Sequence, residues 1–237
     1  MDSTPRFLLT NDDGFDAPGI AALARSIEGL GHAQVIAPRG PQSGCGHRVT
    51  THGPVHVEDR GQGHFAVEGT PADCVRLGLH HLCDGVDWVI SGINAGGNLG
   101  VDVHHSGTVA AVREGVIHGV PGIAVSHYIA RGRAIDWERA ARWTARVLGV
   151  LLARSIPPET FWNVNLPHPD DPTEEPEIVF CSVDPSPLPL DYRVAPGQAE
   201  YSGNYQARAR RPGWDVDVCL GGRIAVSLVH LMASADG

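Results

Sequence analysis

At 237 residues, with 42% hydrophobic and 19% charged side chains, the chain is long enough to bury one full core, and a globular soluble protein is expected. The formal net charge of −9 disfavours a broad basic footprint for duplex nucleic acid, but leaves room for a small anionic substrate held by a bound cation and backbone N–H groups. No apolar run approaches the roughly 20 residues that span a bilayer, the opening MDSTPRFLLT lacks a secretory pattern, and five scattered cysteines without a C-x-x-C pair read as reduced thiols, so no membrane association and a cytoplasmic location are expected.

Residues 6–14, RFLLTNDDG, run a short apolar strand directly into two adjacent carboxylates and a glycine. In open α/β sheets such a strand delivers its polar residues to the crevice at the carboxyl edge, where ligands bind. Asp12 and Asp13 are therefore candidate ligands for a hard divalent cation, since neighbouring carboxylates repel unless something positive lies between them. Asn11-Asp12-Asp13-Gly14 also reads as a plain turn, because these residue types favour turns for backbone reasons.

Ile20, Leu23, Ile27 and Leu30 then recur at helical spacing, opened by Pro18-Gly19 and closed by Gly31. A second strand at 34–37 opens into Pro38-Arg39-Gly40-Pro41-Gln42-Ser43-Gly44. Residues 52–67 alternate around Gly61 to Gly63 as a β-hairpin, and Thr70-Pro71-Ala72-Asp73 is a helix start in which Asp73 caps. A third strand at 88–90 opens into the glycine-rich loop 91–100. If the sheet is parallel, Asp12, Asp13, Ser43 and Asn94 surround one point with oxygen donors, a set that suits Mg²⁺, Mn²⁺ or Ca²⁺ and is poor for zinc.

Ser106-Gly107-Thr108 precedes a helical run at 109–115. Its unpaired N–H groups make a phosphate seat at a helix N-terminus, although Ser106 or Thr108 can equally serve as a cap. Trp137, Ala141, Thr144, Leu148 and Leu151 form another helical stripe, closed by Pro157-Pro158. Beyond Leu166 the chain turns proline-rich, with strands expected at 178–183 and 224–231, and the basic cluster Arg208, Arg210, Arg211 reads as a solvated face. The fold class is thus α/β, a Rossmann-like doubly wound, mainly parallel sheet over residues 1–166. Residues 167–237 form a small irregular β and proline-rich appendage, expected to serve oligomerisation, with its last strand returning to the core.

The stretches TNDDGFDAPGI, VIAP followed by the Ser43-Gly44 loop, GTPADC, SGINAGGNLG and HSGTVAAVREG, with FWNVNLP and the last strand as weaker additions, resemble the SurE family of stationary-phase survival proteins. That resemblance implies a metal-dependent phosphatase acting on nucleoside 5′-monophosphates, with 3′-monophosphates as a further substrate class. It implies that Asp12, Asp13, Ser43 and Asn94 ligate one divalent cation, Mg²⁺ or Mn²⁺, per subunit, and that Asn98 and Ser106 stand beside the substrate phosphate. It also implies that the region after Leu166 reaches across to another subunit in a homodimer or homotetramer. Several positions depart from the family pattern: an Asp-Arg pair is missing before Ser43, Cys45-Gly46-His47 replaces a small polar stretch, His104-His105 precedes Ser106, and Ala225 to Val229 lacks a Thr-Pro.

The expected chemistry is attack of water on a phosphomonoester. Asp12 or Asp13 orients that water, while Asn98, Ser106, Gly107 and Thr108 bind the phosphoryl oxygens. There is no Gly-x-x-x-x-Gly-Lys-Ser/Thr loop, no Gly-x-Gly-x-x-Gly directly after the first strand and no Gly-x-Ser-x-Gly elbow, which argues against a P-loop enzyme, a dinucleotide oxidoreductase and a serine hydrolase. The competing expectation is a nucleotide-binding regulatory protein that keeps the metal site and turns over little.

Overall fold

The computed structural model describes residues 4–130, 132–171 and 173–232. In chain order the elements are β1 (Arg6–Thr10), α1 (Pro18–Ile27), β2 (His32–Pro38), β3 (Val57–Gly61), β4 (His64–Val67), α2 (Pro71–Leu77), β5 (Trp88–Ala95), α3 (Gly107–Ile117), β6 (Gly122–His127), α4 (Trp137–Leu151), β7 (Thr160–Leu166), β8 (Ile178–Phe180), β9 (Tyr192–Ala195), β10 (Gln198–Tyr201), α5 (Asp215–Leu220) and β11 (Ile224–His230). Nine of the strands make one sheet in the order β3-β4-β2-β1-β5-β6-β7-β11-β8. The run from β4 to β7 is parallel throughout, and antiparallel pairing appears at β3 against β4 and at β11 against β7.

Parallel strands buried on both faces read as continuous apolar runs. Phe7, Leu8 and Leu9 of β1 are buried in succession, as is every residue of β6 and β7. Helices α1 and α4 pack together on one face, where Leu23, Ile27, Trp143 and Leu148 close over β1 and β7. Helices α2 and α3 pack together on the other. This is the doubly wound α/β arrangement that the alternation of elements predicts.

Local differences from the sequence expectation have simple causes. The first helix stops at Ile27, short of Gly31, and the strand that follows begins at His32. The third strand runs on through Gly92 to Ala95, with an irregular register against β6 between Ser91 and Asn94, so Asn94 sits near a strand end and not in a free loop. Thr70 and Asp73 form a reciprocal capping box, and Asp73 also accepts from the Thr50 N–H and hydroxyl, both at 2.8 Å. After Leu166, β8 and β11 widen the main sheet, α5 joins a small core with Leu99 and Tyr128, and β9 and β10 stand apart as a hairpin exposed along its whole length. No helix among the described residues is long and apolar enough to cross a membrane.

Candidate active site

Among the parallel strands the order β4-β2-β1-β5-β6-β7 reverses direction of progression between β1 and β5, and ligands of such sheets bind outside the carboxyl ends at that point. Asp12 and Asp13 leave β1 there, in a turn that Asn11 closes by accepting from Gly14 N–H at 3.2 Å and donating to the Gly14 carbonyl at 2.8 Å. Asn11-Asp12-Asp13-Gly14 is thus a turn, as its residue types favour, and a turn in this place leaves Asp12 and Asp13 at the carboxyl edge of the sheet. Asn94 is the penultimate residue of β5, and its Nδ2 donates to the Gly96 carbonyl at 2.8 Å, which leaves Oδ1 as the free atom of the amide. Gln42 N–H donates to the Asp12 carbonyl at 2.7 Å and ties the Ser43 loop to the β1 turn. Asp12, Asp13, Ser43, Asn94, Asn98 and Ser106 all line one cavity of about 320 Å³. A larger cavity of about 560 Å³ lies along the same Ser43 loop, between Arg39, Arg48 and Glu68, but contains none of these groups.

The electrostatics of the cavity are one-sided. Burial pushes the Asp12 carboxyl up from its ordinary value, a hydrogen bond from Thr108 works against that, and repulsion from Asp13 adds to it. Asp13 Oδ2 accepts from the Ala95 N–H at 3.0 Å, and among the described residues neither aspartate has an ion-pair partner. The donors gathered here are two carboxylates, the free Asn94 Oδ1 and the exposed Ser43 hydroxyl, which are all oxygen and carry excess negative charge. Such a set fits a hard divalent cation. Among the described residues no three His, Cys, Asp or Glu side chains form a metal-holding cluster, which sets this mixed oxygen set apart from a histidine or thiolate site.

The far wall is the segment from Asn98 to Thr108. Two asparagines of β7 clamp Asn98: Asn165 Oδ1 accepts its N–H at 2.8 Å, while Asn163 and Asn165 Nδ2 donate to its carbonyl at 2.9 and 3.0 Å. Its own Nδ2 donates to the Ser126 hydroxyl at 2.7 Å. Ser106 is the N-cap of α3 and accepts from Val109 N–H at 3.0 Å, yet its hydroxyl keeps a proton to donate into the cavity. Gly107 allows α3 to approach β1: a Cβ there would lie 2.9 Å from Asp12 Cβ and 3.0 Å from its Oδ2.

Thr108 corrects the sequence reading. Its side chain is fully buried and donates to Asp12 Oδ1 at 2.7 Å, so the hydroxyl holds a carboxylate in place and is not available to a substrate. Only the backbone N–H of Thr108 remains for that purpose. The basic cluster is corrected at one position: Arg208 is buried against Asp102, whereas Arg210, which leans toward Asp217, and Arg211, which lies over the Trp214 ring, are exposed as expected of a solvated face.

Sequence reasoning also missed the groups that hold the site. Asn163 and Asn165 gave a signal, as two amides at alternate positions in an otherwise apolar strand. Glu114 gave none. It is buried on α3 and accepts from His47 at 2.6 Å, Arg76 at 2.5 Å and His118 at 3.1 Å, so His47 anchors the distal end of the Ser43 loop. Burial works to raise the Glu114 carboxyl, but those three hydrogen bonds outweigh it and bring it down to about 2.

The chain matches the family model described as "Survival protein SurE" over residues 7–184. A relative from Nostoc sp. strain PCC 7120, provisionally named a 5′-nucleotidase, is 52% identical over 224 residues, covering 94% of this chain and 99% of its own. The protein named 5′-nucleotidase SurE from Geobacter sulfurreducens is 41% identical over 234 residues, covering 94% of this chain and 87% of its own. The crystal structure of the SurE protein from Aquifex aeolicus superposes with a TM-score of 0.85 at 33% identity, covering 97% of this chain and 95% of that one. With the family match spanning most of the sheet and the relatives spanning nearly the whole chain, this protein belongs to the SurE family.

Proposed function

We propose that this chain is a divalent-metal-dependent phosphatase that hydrolyses nucleoside 5′-monophosphates, and 3′-monophosphates as a second class, to nucleoside and inorganic phosphate. The observation that carries this reading is the convergence of Asp12, Asp13, Ser43 and Asn94 with Asn98 and Ser106 on one cavity at the β1/β5 switch point. The names of the relatives from Nostoc sp. and Geobacter sulfurreducens agree with it.

Asp12, Asp13, Ser43 and Asn94 would hold one Mg²⁺ or Mn²⁺ per subunit. When bound, such a cation supplies Lewis-acid polarisation of a phosphoryl oxygen and lowers the pKa of water to the physiological range. The residues of the chain do the remainder. Asp12 is fixed by Thr108 and Asp13 by Ala95 N–H, so either carboxylate can orient a water for in-line attack on phosphorus. Ser106 donates its hydroxyl proton to a phosphoryl oxygen, and the N–H groups of Gly107 and Thr108 lie at the positive end of α3. Asn98 donates Nδ2 to the same group once its amide turns over, because the Ser126 hydroxyl can then donate to Oδ1 as readily as it now accepts. As the water oxygen bonds to phosphorus the phosphorus–oxygen ester bond breaks, and the proton that the water gives up to the orienting carboxylate passes to the leaving nucleoside oxygen.

The exposed hairpin of β9 and β10 supports assembly into a homodimer or homotetramer, and five unpaired thiols suit a reducing cytoplasm. The test is phosphate release from a panel of nucleoside monophosphates by the purified full chain, with chelator, and after Mg²⁺ or Mn²⁺ is added back. Release that needs the cation is expected. Release unaffected by chelation and dialysis removes the metal from the mechanism, and nucleotide binding without release makes the protein a regulator.

A further inference from the structure

Asp102 lines the same cavity as Asp12 and Asp13 but does not gather with them into a metal-holding cluster. All of the hydrogen bonds made to its carboxylate fall on one oxygen. Oδ2 accepts from the Tyr205 hydroxyl at 2.5 Å, from Arg208 Nη1 at 3.0 Å and from Leu99 N–H at 3.2 Å, whereas no described residue donates to Oδ1. The donors are rigid. The Arg208 side chain is fully buried and also reaches the Leu99 carbonyl at 3.3 Å, and its guanidinium lies over the Tyr205 ring, 5.0 Å from the centroid. Burial and the nearby Asp102 push the Tyr205 phenol well up, so that hydroxyl remains a donor. Asp102 is therefore held by one edge, with the other available to whatever enters the cavity.

In hydrogen bonding an ionised carboxylate oxygen can only accept, and Asp102 stands outside any metal-holding cluster among the described residues, so its complement is a hydrogen-bond donor. It would repel the phosphate of a nucleotide, but Arg208 offsets its charge, and next to the phosphate a nucleoside monophosphate carries the hydroxyl donors of its sugar. Carboxylates perform this task for ribose in dinucleotide-binding sheets. We infer that Asp102 is a specificity-determining residue whose Oδ1 accepts a hydrogen bond from a sugar hydroxyl of a nucleoside monophosphate, with Tyr205 and Arg208 as its positioning residues. The inference rests on the phosphatase reading for the position of the phosphate. It predicts a preference for ribonucleotides that the metal site alone does not supply.

The experiment compares AMP with 2′-deoxy-AMP and 2′,3′-dideoxy-AMP on the unmodified full chain, by binding calorimetry and by phosphate release in Mn²⁺. A hydrogen bond to a charged group is worth roughly tenfold to a hundredfold in affinity or kcat/KM, so AMP should lead the dideoxy compound by about that factor. In Asp102→Asn, which keeps an acceptor for Tyr205 and Leu99, and in Tyr205→Phe, which leaves the carboxylate intact but loosens it, that ratio should fall toward one, with the larger fall in Asp102→Asn. AMP and dideoxy-AMP within twofold of each other on the unmodified chain overturn the inference, as does a ratio that survives Asp102→Asn. Discrimination in binding without phosphate release upholds the inference and overturns the phosphatase reading, so the two failures are distinct.

Discussion

The Thr108 hydroxyl donates to Asp12 Oδ1 at 2.7 Å, so the first turn of α3 holds the carboxylate that β1 delivers. The bond joins the turn after β1 to the start of α3 at the switch point, and the absent Cβ of Gly107 permits the approach. Replacing Thr108 with Val keeps the shape and deletes the donor. Because Asp12 Oδ1 would then be a buried acceptor without its partner, a stability loss of about 1–3 kcal/mol is expected. Phosphate release should fall as well, through a displaced carboxylate. Chemical denaturation and kcat measurement on Thr108→Val check this, and wild-type values for both remove Thr108 from the support of Asp12.

Asp12 itself offers a sharper test, since its carboxyl is raised by burial and by Asp13. A carboxyl raised in the folded state binds its proton more tightly there than in the unfolded chain. Its contribution to stability is thus greatest at low pH and fades as pH climbs from the ordinary carboxylate range through the raised value. In metal-free buffer at neutral pH, Asp12→Asn should melt at or above the wild-type temperature, with this part of the pH slope removed. Phosphate release should drop by at least a hundredfold. A variant that is stable and fully active breaks the metal-site assignment.

The legibility of the chain divides along physical lines. Apolar runs, capping residues and turn residues report local structure, which is why the parallel sheet, the Thr70–Asp73 box and the carboxylate turn could all be read directly. Convergence at the switch point followed from the fold class, so Asp12, Ser43 and Asn94 could be placed on one edge. What stayed hidden was pairing across long separations. Asp102 with Arg208 and His47 with Glu114 join residues 106 and 67 positions apart, and no local pattern marks a buried arginine or glutamate as paired. Thr108 was misread for the same reason, since a helix-start hydroxyl looks identical whether it faces a ligand or an aspartate.

Glu114 should govern acid stability. Its carboxyl, ordinarily near 4.5, lies near 2 in the folded chain, so its contribution is complete above about 4.5 and is lost as pH falls from there through about 2. Glu114→Gln should remove that part of the acid transition. It should also lower stability at pH 7 by about 1–3 kcal/mol, less than a wholly buried pair because Arg76 is 42% exposed. The Ser43 loop loses its His47 anchor in the same variant, which should raise the Mn²⁺ concentration needed for half-maximal activity. Acid titration of both proteins by circular dichroism, beside a Mn²⁺ activation curve, tests the two effects separately, and coincident acid transitions would refute the first.

The last expectation concerns assembly. A two-stranded hairpin is marginal alone in water, and β9 with β10 has little beneath it: Leu190 and Val194 are each 79% exposed, and the Tyr192 and Tyr201 rings meet edge to face at 5.5 Å, about half exposed. Apolar side chains presented together at this exposure mark an interaction surface more often than a free one. A second copy of the chain, offering the same hairpin, satisfies the symmetry of a closed dimer. Sedimentation at micromolar concentration should therefore show a species of at least twice 25.2 kDa. Leu190→Ser with Val194→Ser should shift it toward the monomer, and far-ultraviolet circular dichroism should stay near wild type, because neither side chain belongs to the core. A wild-type chain that sediments only as a monomer, or a variant that remains fully associated, would show that the hairpin does not join the subunits.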